Sequence, residues 1–126
     1  MPSDPKQLAQ AYLQHMPSTS ENDWAYDELS DRVFDQSNGA DAWELILALV
    51  EGANEENLGI VGAGPLEDFV RIHGKSWVEP IETAARRDPK FRAALGCIWL
   101  SRGDLPPDVL DRVVVASGGA IHPLDK

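Results

Sequence analysis

The sequence predicts an all-α protein, a compact orthogonal bundle of about seven short helices. Apolar residues recur at spacings of three and four along almost the whole chain, which is the period of an amphipathic helix. Glycine, proline and asparagine break this pattern at short intervals, and short turns favour antiparallel packing of neighbouring helices. Stacked helical hairpins, like those of a HEAT-type solenoid, are an alternative, although the chain shows no clear internal repeat.

The 126 residues, of which 43% are hydrophobic, predict a single helical domain over residues 1–126. A chain of this size can bury a core of its own. No apolar run approaches the ~20 residues that span a bilayer, and the polar N-terminus is unlike a signal peptide. We therefore expect a cytoplasmic protein with no membrane partner.

Two helices are predicted in the N-terminal third. In the first, Leu8, Tyr12 and Met16 lie four residues apart, and Pro17 ends the helix. The second follows polar capping residues at 20–23. Its inward face is predicted to hold Trp24, Leu29 and Val33, with Tyr26 and Phe34 as candidates for the same face.

The third helix is predicted to be central and widely buried. It follows a turn at 37–39, and Asp41 with Glu44 forms a capping-box pattern at its start. Gly52 and the polar residues at 54–57 end it. Its apolar residues keep helical spacing and form a broad face: Trp43, Leu45, Ile46, Leu47, Leu49 and Val50.

The segment 62–74 combines unusual backbone chemistry with titratable side chains. Glycines at 62 and 64 predict a tight turn, Pro65 then opens a helix, and Gly74 ends it. A separate helix is predicted to begin near Ser76, although Pro80 fits poorly inside it. The predicted core face of the first of these helices holds Leu66, Phe69, Val70 and His73.

Two further helices are predicted towards the C-terminus. Asp88 is an N-cap followed by Pro89 at the first helical position, and Gly103 ends that helix. The last helix runs from the prolines at 106–107 to the glycines at 118–119. The core stripe of the first one holds Phe91, Ala94, Leu95, Ile98 and Trp99, and Cys97 is predicted to be a buried, inert thiol.

Charge is divided unevenly along the chain. Residues 1–60 hold 12 Asp/Glu against 2 Lys/Arg, a net charge of −10, whereas residues 61–126 hold 9 of each. This asymmetry predicts a negative field on one side of the molecule, which disfavours nucleic acid and suits a basic protein partner. An acidic surface that only keeps the protein soluble is the alternative.

A partner-binding face is predicted on the second helix. Trp24 lies near the helix start among carboxylates, and a partly exposed tryptophan is a common interface anchor. The candidate contacts are Trp24, Asp27, Glu28, Asp31 and Asp35. The expected partner is a basic protein, most concretely a toxin neutralised by this chain as an immunity-type protein. The alternative role of Trp24 is to pack the first helix pair together.

A second hypothesis is a small enzyme or ligand-binding pocket centred on Glu67, Asp68 and His73. The two carboxylates would also stabilise the helix dipole, and His73 could favour the helix end or donate to a buried carbonyl. About 8–9 Å of helix separates Glu67 from His73, so they cannot hydrogen-bond directly. With no known catalytic or metal-binding motif, a non-enzymatic protein is favoured, and we predict no catalytic residue, metal or cofactor.

Three stretches resemble a family of small, uncharacterised bacterial helical proteins, a domain of unknown function. They are Ala-Trp-Glu-Leu-Ile at 42–46, Gly-Ala-Gly-Pro-Leu-Glu-Asp at 62–68 with His-Gly at 73–74, and Asp-Pro-Lys-Phe-Arg at 88–92 with Trp99. The resemblance covers about residues 24–103. It implies a bacterial helical domain in which Glu67 and His73 are the first residues to test.

Overall fold

A computed structural model describes residues 4–14 and 23–124 of the chain. This part is all-α, which confirms the predicted fold class, and the number of helices is close to the predicted seven. An isolated parallel β-bridge joins Ser101 to Leu124. The α-helices are α1 (Pro5–Gln14), α2 (Asp23–Phe34), α3 (Gly39–Gly52), α4 (Leu58–Val61), α5 (Glu67–Arg87), α6 (Pro89–Leu95) and α7 (Pro107–Ala116), and a π-helical turn spans Gly62–Leu66.

The first two helices bury apolar residues that their spacing predicts, with two exceptions in α2, Trp24 and Phe34. Leu8 on α1 is buried, and so are Leu29 and Val33 on α2, whereas Phe34 at the end of α2 is 47% exposed. The predicted helix end at Pro17, the cap at 20–22 and the side chain of Tyr26 lie outside the described residues. No helix in the described part of the chain is long and apolar enough to cross a bilayer.

α3 and α5 form the centre of the fold because the other helices pack against them. α1 and α2 contact α3, and α6 and α7 contact α5. Leu47, predicted on the core face of α3, is exposed because it lies on the side opposite to the buried stripe. That stripe comprises Leu45, Ile46, Leu49 and Val50. An aromatic cluster with neighbouring ring centroids 5.4–6.1 Å apart joins α3, α5 and α6: Trp43, Phe69, Trp77 and Phe91.

The start of α3 differs from the predicted capping box. Asn38 is the N-cap, and its side-chain oxygen accepts a hydrogen bond from the backbone N of Asp41 at 3.2 Å. The carboxylate of Asp41 instead binds Arg32 of α2. The helix therefore begins three residues earlier than predicted, because Asn38 is an equally good cap and Arg32 recruits the aspartate.

The chain stays helical from Leu58 to Arg87, so the predicted turn at 62–64 and the predicted helix end at Gly74 are wrong. Gly62 has helical dihedral angles, and a Cβ atom there would lie 2.2 Å from the carbonyl oxygen of Ala94. The glycine thus permits close packing on α6 rather than a reversal of the chain. The π-helical turn takes in Pro65, where the lack of an N–H would interrupt α-helical hydrogen bonding.

α6 ends at Leu95, well before the predicted stop at Gly103. Its beginning is as predicted, since Asp88 accepts a hydrogen bond from the backbone N of Lys90 at 2.9 Å. The chain beyond Leu95 is non-helical, with Ile98 and Leu100 buried. Residues that alternate with them point outwards, which explains why Cys97 and Trp99 are exposed and not buried as predicted.

α7 agrees with its prediction. It spans Pro107–Ala116, buries Val109, Leu110 and Val113, and is followed by Gly118 and Gly119. Both glycines have positive φ angles, 74° and 81°, which residues with a Cβ atom adopt at a cost. Their backbone N–H groups close the helix end by donating to carbonyls of α7.

Candidate functional site

The predicted partner-binding residues share one outward side of α2. Four of them fall at positions i, i+3, i+4 and i+7 of the helix, and the fifth follows its last residue, so they form one stripe. The opposite side of α2 is buried through Ala25, Leu29 and Val33. We call this stripe the acidic α2 face: Trp24, Asp27, Glu28, Asp31 and Asp35.

Trp24 is the apolar member of the acidic α2 face. Its side chain is 52% exposed, so the prediction that it faces inward is wrong. Phe34, also predicted as a candidate for the inward face, is exposed at the other end of α2. The exposure of Trp24 agrees with its predicted role as a partly exposed anchor, whereas that of Phe34 was not predicted; both residues fit a helical stripe by spacing but lie off the buried one.

Arg32 connects α2 to α3 and neutralises part of the acidic α2 face. Its Nε and Nη2 atoms donate to the two carboxylate oxygens of Asp41 at 2.8 and 2.6 Å, and its Nη1 donates to Glu28 at 3.0 Å. Hydrogen bonding to Arg32 lowers the pKa of Asp41, with a further contribution from the charge of Arg32, although partial burial opposes the shift. Glu28 is therefore engaged within the molecule.

The remaining carboxylates of this face differ in whether they form hydrogen bonds within the protein. Asp35 accepts hydrogen bonds from the backbone N and the hydroxyl of Ser37, at 2.9 and 2.5 Å, and these bonds lower its pKa. Asp27 and Asp31 are exposed and make no side-chain hydrogen bond or ion pair with another described residue. Together with Trp24, these two aspartates are the members of the face that are available to a partner.

Glu67, the first residue of the alternative site, holds the loop after α6. Its buried carboxylate accepts a hydrogen bond from the backbone N of Trp99 at 2.6 Å and pairs with Arg71 at 3.0 Å. Arg71 in turn donates to the carbonyl of Trp99 at 3.0 Å and to Asp104 at 3.3 Å. Asp104 also accepts from the backbone N of Ser101 at 2.8 Å, so the loop is held at several points.

His73 contacts a different neighbour. Its Nε2 lies 2.7 Å from the carbonyl oxygen of Val33 at the end of α2, and since a carbonyl only accepts, Nε2 is the protonated nitrogen. The buried ring packs on Phe69 with centroids 4.9 Å apart. Partial burial and the charge of Glu67 raise the pKa of Asp68, and Arg71 opposes this shift. Glu67 and His73 thus face different elements and do not converge on one pocket.

Trp99 is exposed although its spacing predicts a core position. Its side chain is 62% exposed, while its backbone is held on both sides by Glu67 and Arg71. Its position fits the helical stripe of α6 by spacing, which conceals the change to an alternating pattern after Leu95. The signal that could have revealed this exposure is Gly96, directly after the last helical residue.

Four surface depressions lie away from Glu67, Asp68 and His73. An open groove of about 550 Å³ runs between α1 and the end of α3, and a depression of about 310 Å³ adjoins it. A recess of about 220 Å³ lies between α5, α6 and α7, and one of about 460 Å³ lies beside Trp43. Among residues 4–14 and 23–124, no group of three or more His, Cys, Asp or Glu side chains is arranged to hold a metal ion.

Comparison with known proteins places the chain in a family. Neither a curated protein nor a solved structure matches it. One family model matches residues 13–121, which is most of the chain and includes every helix from α2 to α7. The chain therefore belongs to this family of unknown function, DUF6869.

Proposed function

We propose that this protein is a non-enzymatic binding module whose acidic α2 face docks onto a basic protein partner. One observation carries the proposal: the half-exposed Trp24 shares a helix side with Asp27 and Asp31, which have no charged partner among the described residues. A tryptophan supplies binding energy by burial, and carboxylates beside it select a cationic partner.

The composition of the face favours docking over solubility alone. A face that only maintains solubility does not need a large exposed aromatic, because charged residues suffice. Trp24 at one end of α2 and Phe34 at the other supply apolar area, and the aspartates between them supply charge. The face can therefore contribute both an aromatic anchor and electrostatic selectivity to one interface.

The most concrete version of this hypothesis is an immunity-type protein that neutralises a basic toxin in a bacterium. It is supported by the confinement of the whole net charge of −10 to residues 1–60, which would steer a basic partner to one side of the molecule. The small size of the chain and the resemblance to bacterial proteins agree with it. Localisation in the cytoplasm is part of this proposal.

The contacts of Glu67 and His73 within the fold favour a structural role for both residues over a catalytic one. Glu67 is engaged by a backbone N–H and by Arg71, and His73 donates to a backbone carbonyl. Side chains with these partners hold elements together, and freeing either one for acid–base chemistry would break a contact. We therefore draw no second function from this region.

The proposal is tested by affinity purification of the full chain from its native host at low ionic strength, followed by mass spectrometry. We expect a stoichiometric basic partner. Because truncation of a hot-spot tryptophan costs about 2 kcal/mol or more, Trp24→Ala should weaken binding roughly 30-fold. Asp31→Lys should also release the partner, since it places a cation against a basic surface.

The matched control is Glu55→Lys, which makes the same change of charge at an exposed residue of the acidic half outside α2. It should retain the partner. Binding should weaken as salt is raised, because the screening length falls from about 10 Å at 0.1 M to about 3 Å at 1 M. Equal retention by Trp24→Ala, Asp31→Lys and Glu55→Lys, or a chain that purifies without a partner, would contradict the proposal.

A further inference from the structure

A small recess between α5, α6 and α7 brings two arginines together. Arg86 near the end of α5 and Arg92 on α6 both line this recess of about 220 Å³. Its volume is below the ~300–1,000 Å³ of pockets for drug-sized ligands, so it suits a small ligand. Gly118, directly beyond α7, borders the recess, and a Cβ atom there would meet nothing within 4 Å, so this side is open to solvent.

The recess carries an excess of positive charge. Glu82 is the carboxylate that lines it, and Arg112 binds both oxygens of this carboxylate at 3.0 and 2.6 Å. Arg92 makes no side-chain hydrogen bond or ion pair with another described residue. The guanidinium of Arg86 makes one long contact, 3.5 Å from the hydroxyl of Thr83. Two arginines thus line the recess against one glutamate, and Arg112 from outside the lining balances the charge of that glutamate, in a protein whose net charge is −10.

The recess also has an apolar wall. Ala85 is buried at its side, and Val115 is 76% exposed, the most exposed large apolar side chain in the described part of the chain. A ligand that covers Val115 would remove this apolar surface from water. The recess therefore offers two kinds of contact, a pair of cationic donors and an aliphatic surface, within a volume that fits only a compact molecule.

We propose that this recess binds a small oxyanion, a phosphate or carboxylate group carried on a compact apolar body. Guanidinium groups present paired N–H donors that match the oxygens of both anions in a bidentate arrangement. Arg86 and Arg92 hold the anionic group, and Val115 contacts the apolar body. The site is independent of the proposed function, because none of its residues belongs to the acidic α2 face.

The test is a titration of the isotope-labelled full chain followed by nuclear magnetic resonance. The probes are inorganic phosphate, phenyl phosphate and benzoate, and the signals are the side-chain N–H groups of Arg86 and Arg92, the Val115 methyls and the Gly118 amide. We expect saturable shifts that are confined to these signals. Tighter binding of phenyl phosphate than of inorganic phosphate would support the apolar contact. Whichever of phenyl phosphate and benzoate binds with the higher affinity identifies the anionic group that the recess prefers.

A matched pair of variants separates a built site from a general electrostatic effect. Arg92→Gln should weaken binding of phenyl phosphate or benzoate about tenfold, equivalent to about 1.4 kcal/mol. Arg87→Gln removes the same charge from a neighbouring exposed arginine that borders a different depression, beside Trp43 and Leu47, and should leave the affinity within about twofold. Both side chains are on the surface, and circular dichroism checks that each variant is folded.

Two results would overturn the proposal. One is the absence of saturable shifts at the recess with all three probes. The other is an equal loss of affinity in Arg87→Gln and Arg92→Gln, because a diffuse field would then account for the binding. Neither result bears on the acidic α2 face, whose test uses a protein partner and different residues.

Discussion

Glu67 is the residue on which the position of Trp99 depends. Its carboxylate lies in the protein interior, where a charge is costly unless it is paired and hydrogen-bonded. Here both conditions are met, by Arg71 at 3.0 Å and by the backbone N of Trp99 at 2.6 Å. The consequence is that a tryptophan with a largely exposed side chain has a fixed backbone. Such an aromatic loses little freedom if a partner covers it.

Glu67→Ala should lower the free energy of unfolding by about 2 kcal/mol, because it removes an ion pair and a charge-assisted hydrogen bond. Glu67→Gln keeps an acceptor for Trp99 and should cost about 1 kcal/mol. Urea unfolding followed by circular dichroism measures both. The control is Glu79→Ala at an exposed position of α5, expected within about 0.5 kcal/mol of the wild type. If Glu67→Ala costs no more than this control, the contact does not stabilise the fold.

At the scale of elements, the continuous helical segment from Leu58 to Arg87 depends on close contact between the π-helical turn and α6. Gly62→Ala would place a Cβ atom 2.2 Å from the Ala94 carbonyl oxygen and 2.9 Å from Cβ of Cys97. Because a backbone atom cannot move aside cheaply, we expect a loss of about 1–3 kcal/mol in the free energy of unfolding.

Gly59→Ala is the matched control, because a Cβ atom at Gly59 of α4 would meet nothing within 4 Å. Since alanine is the better helix former, this variant should be more stable by about 0.5–1 kcal/mol. Opposite signs for the two glycines in chemical denaturation are the expected outcome. Two variants of equal stability would mean that the packing of Gly62 on α6 is looser than described.

The junction of α2 and α3 gives a prediction on pH. Hydrogen bonding to Arg32 holds the pKa of Asp41 below its ordinary value of 3.8, so the folded state binds a proton there less readily than the unfolded chain. The pair therefore stabilises the fold above that value, and the contribution is lost as the pH falls through the ordinary pKa and then the lowered one.

Asp41→Asn should accordingly cost about 1 kcal/mol at neutral pH, and its stability should converge with that of the wild type towards about pH 2. Urea unfolding across this range measures the difference. Asp31→Asn, at a residue without an ion pair among the described residues, is the control and should not show such convergence. If the free energy of unfolding differs by the same amount between wild type and Asp41→Asn at all pH values, protonation of Asp41 does not control the stability contributed by its pair with Arg32.

Spacing alone predicts an element well where one face is buried and a strong cap marks its start. Asp88 before Pro89 locates the start of α6 correctly, and the spacing in α3 identifies its buried stripe apart from the exposed Leu47. Spacing is insufficient where two patterns coincide. Trp99 fits both a helical stripe and an alternating one, and it is exposed because α6 ends at Leu95 and the chain at Trp99 is not helical. Gly62 is consistent with either a turn or close helix packing, and the contact that decides between them is made with α6, remote in sequence.

At the scale of the whole molecule, two surfaces of opposite charge belong to different parts of the chain. The acidic α2 face lies in the half with a net charge of −10, whereas the recess with Arg86 and Arg92 lies in the half with a net charge of zero. Composition predicts the first surface, because all of the net charge is in one half. It does not predict the second, because the basic residues that line the recess are balanced along the chain by acidic ones elsewhere.

This charge distribution predicts which residues control the association rate constant for the partner and which control the dissociation rate constant. Long-range attraction acts before contact, so Asp27→Lys and Asp31→Lys should mainly lower the association rate constant, by about tenfold at low salt, with the effect fading as salt is raised. Trp24 acts only once buried in the complex, so Trp24→Ala should mainly raise the dissociation rate constant at any salt concentration. Surface plasmon resonance with the captured partner measures both constants. If the aspartate variants change only dissociation, or Trp24→Ala changes only association, the negative field and the aromatic anchor do not have these separate roles in docking.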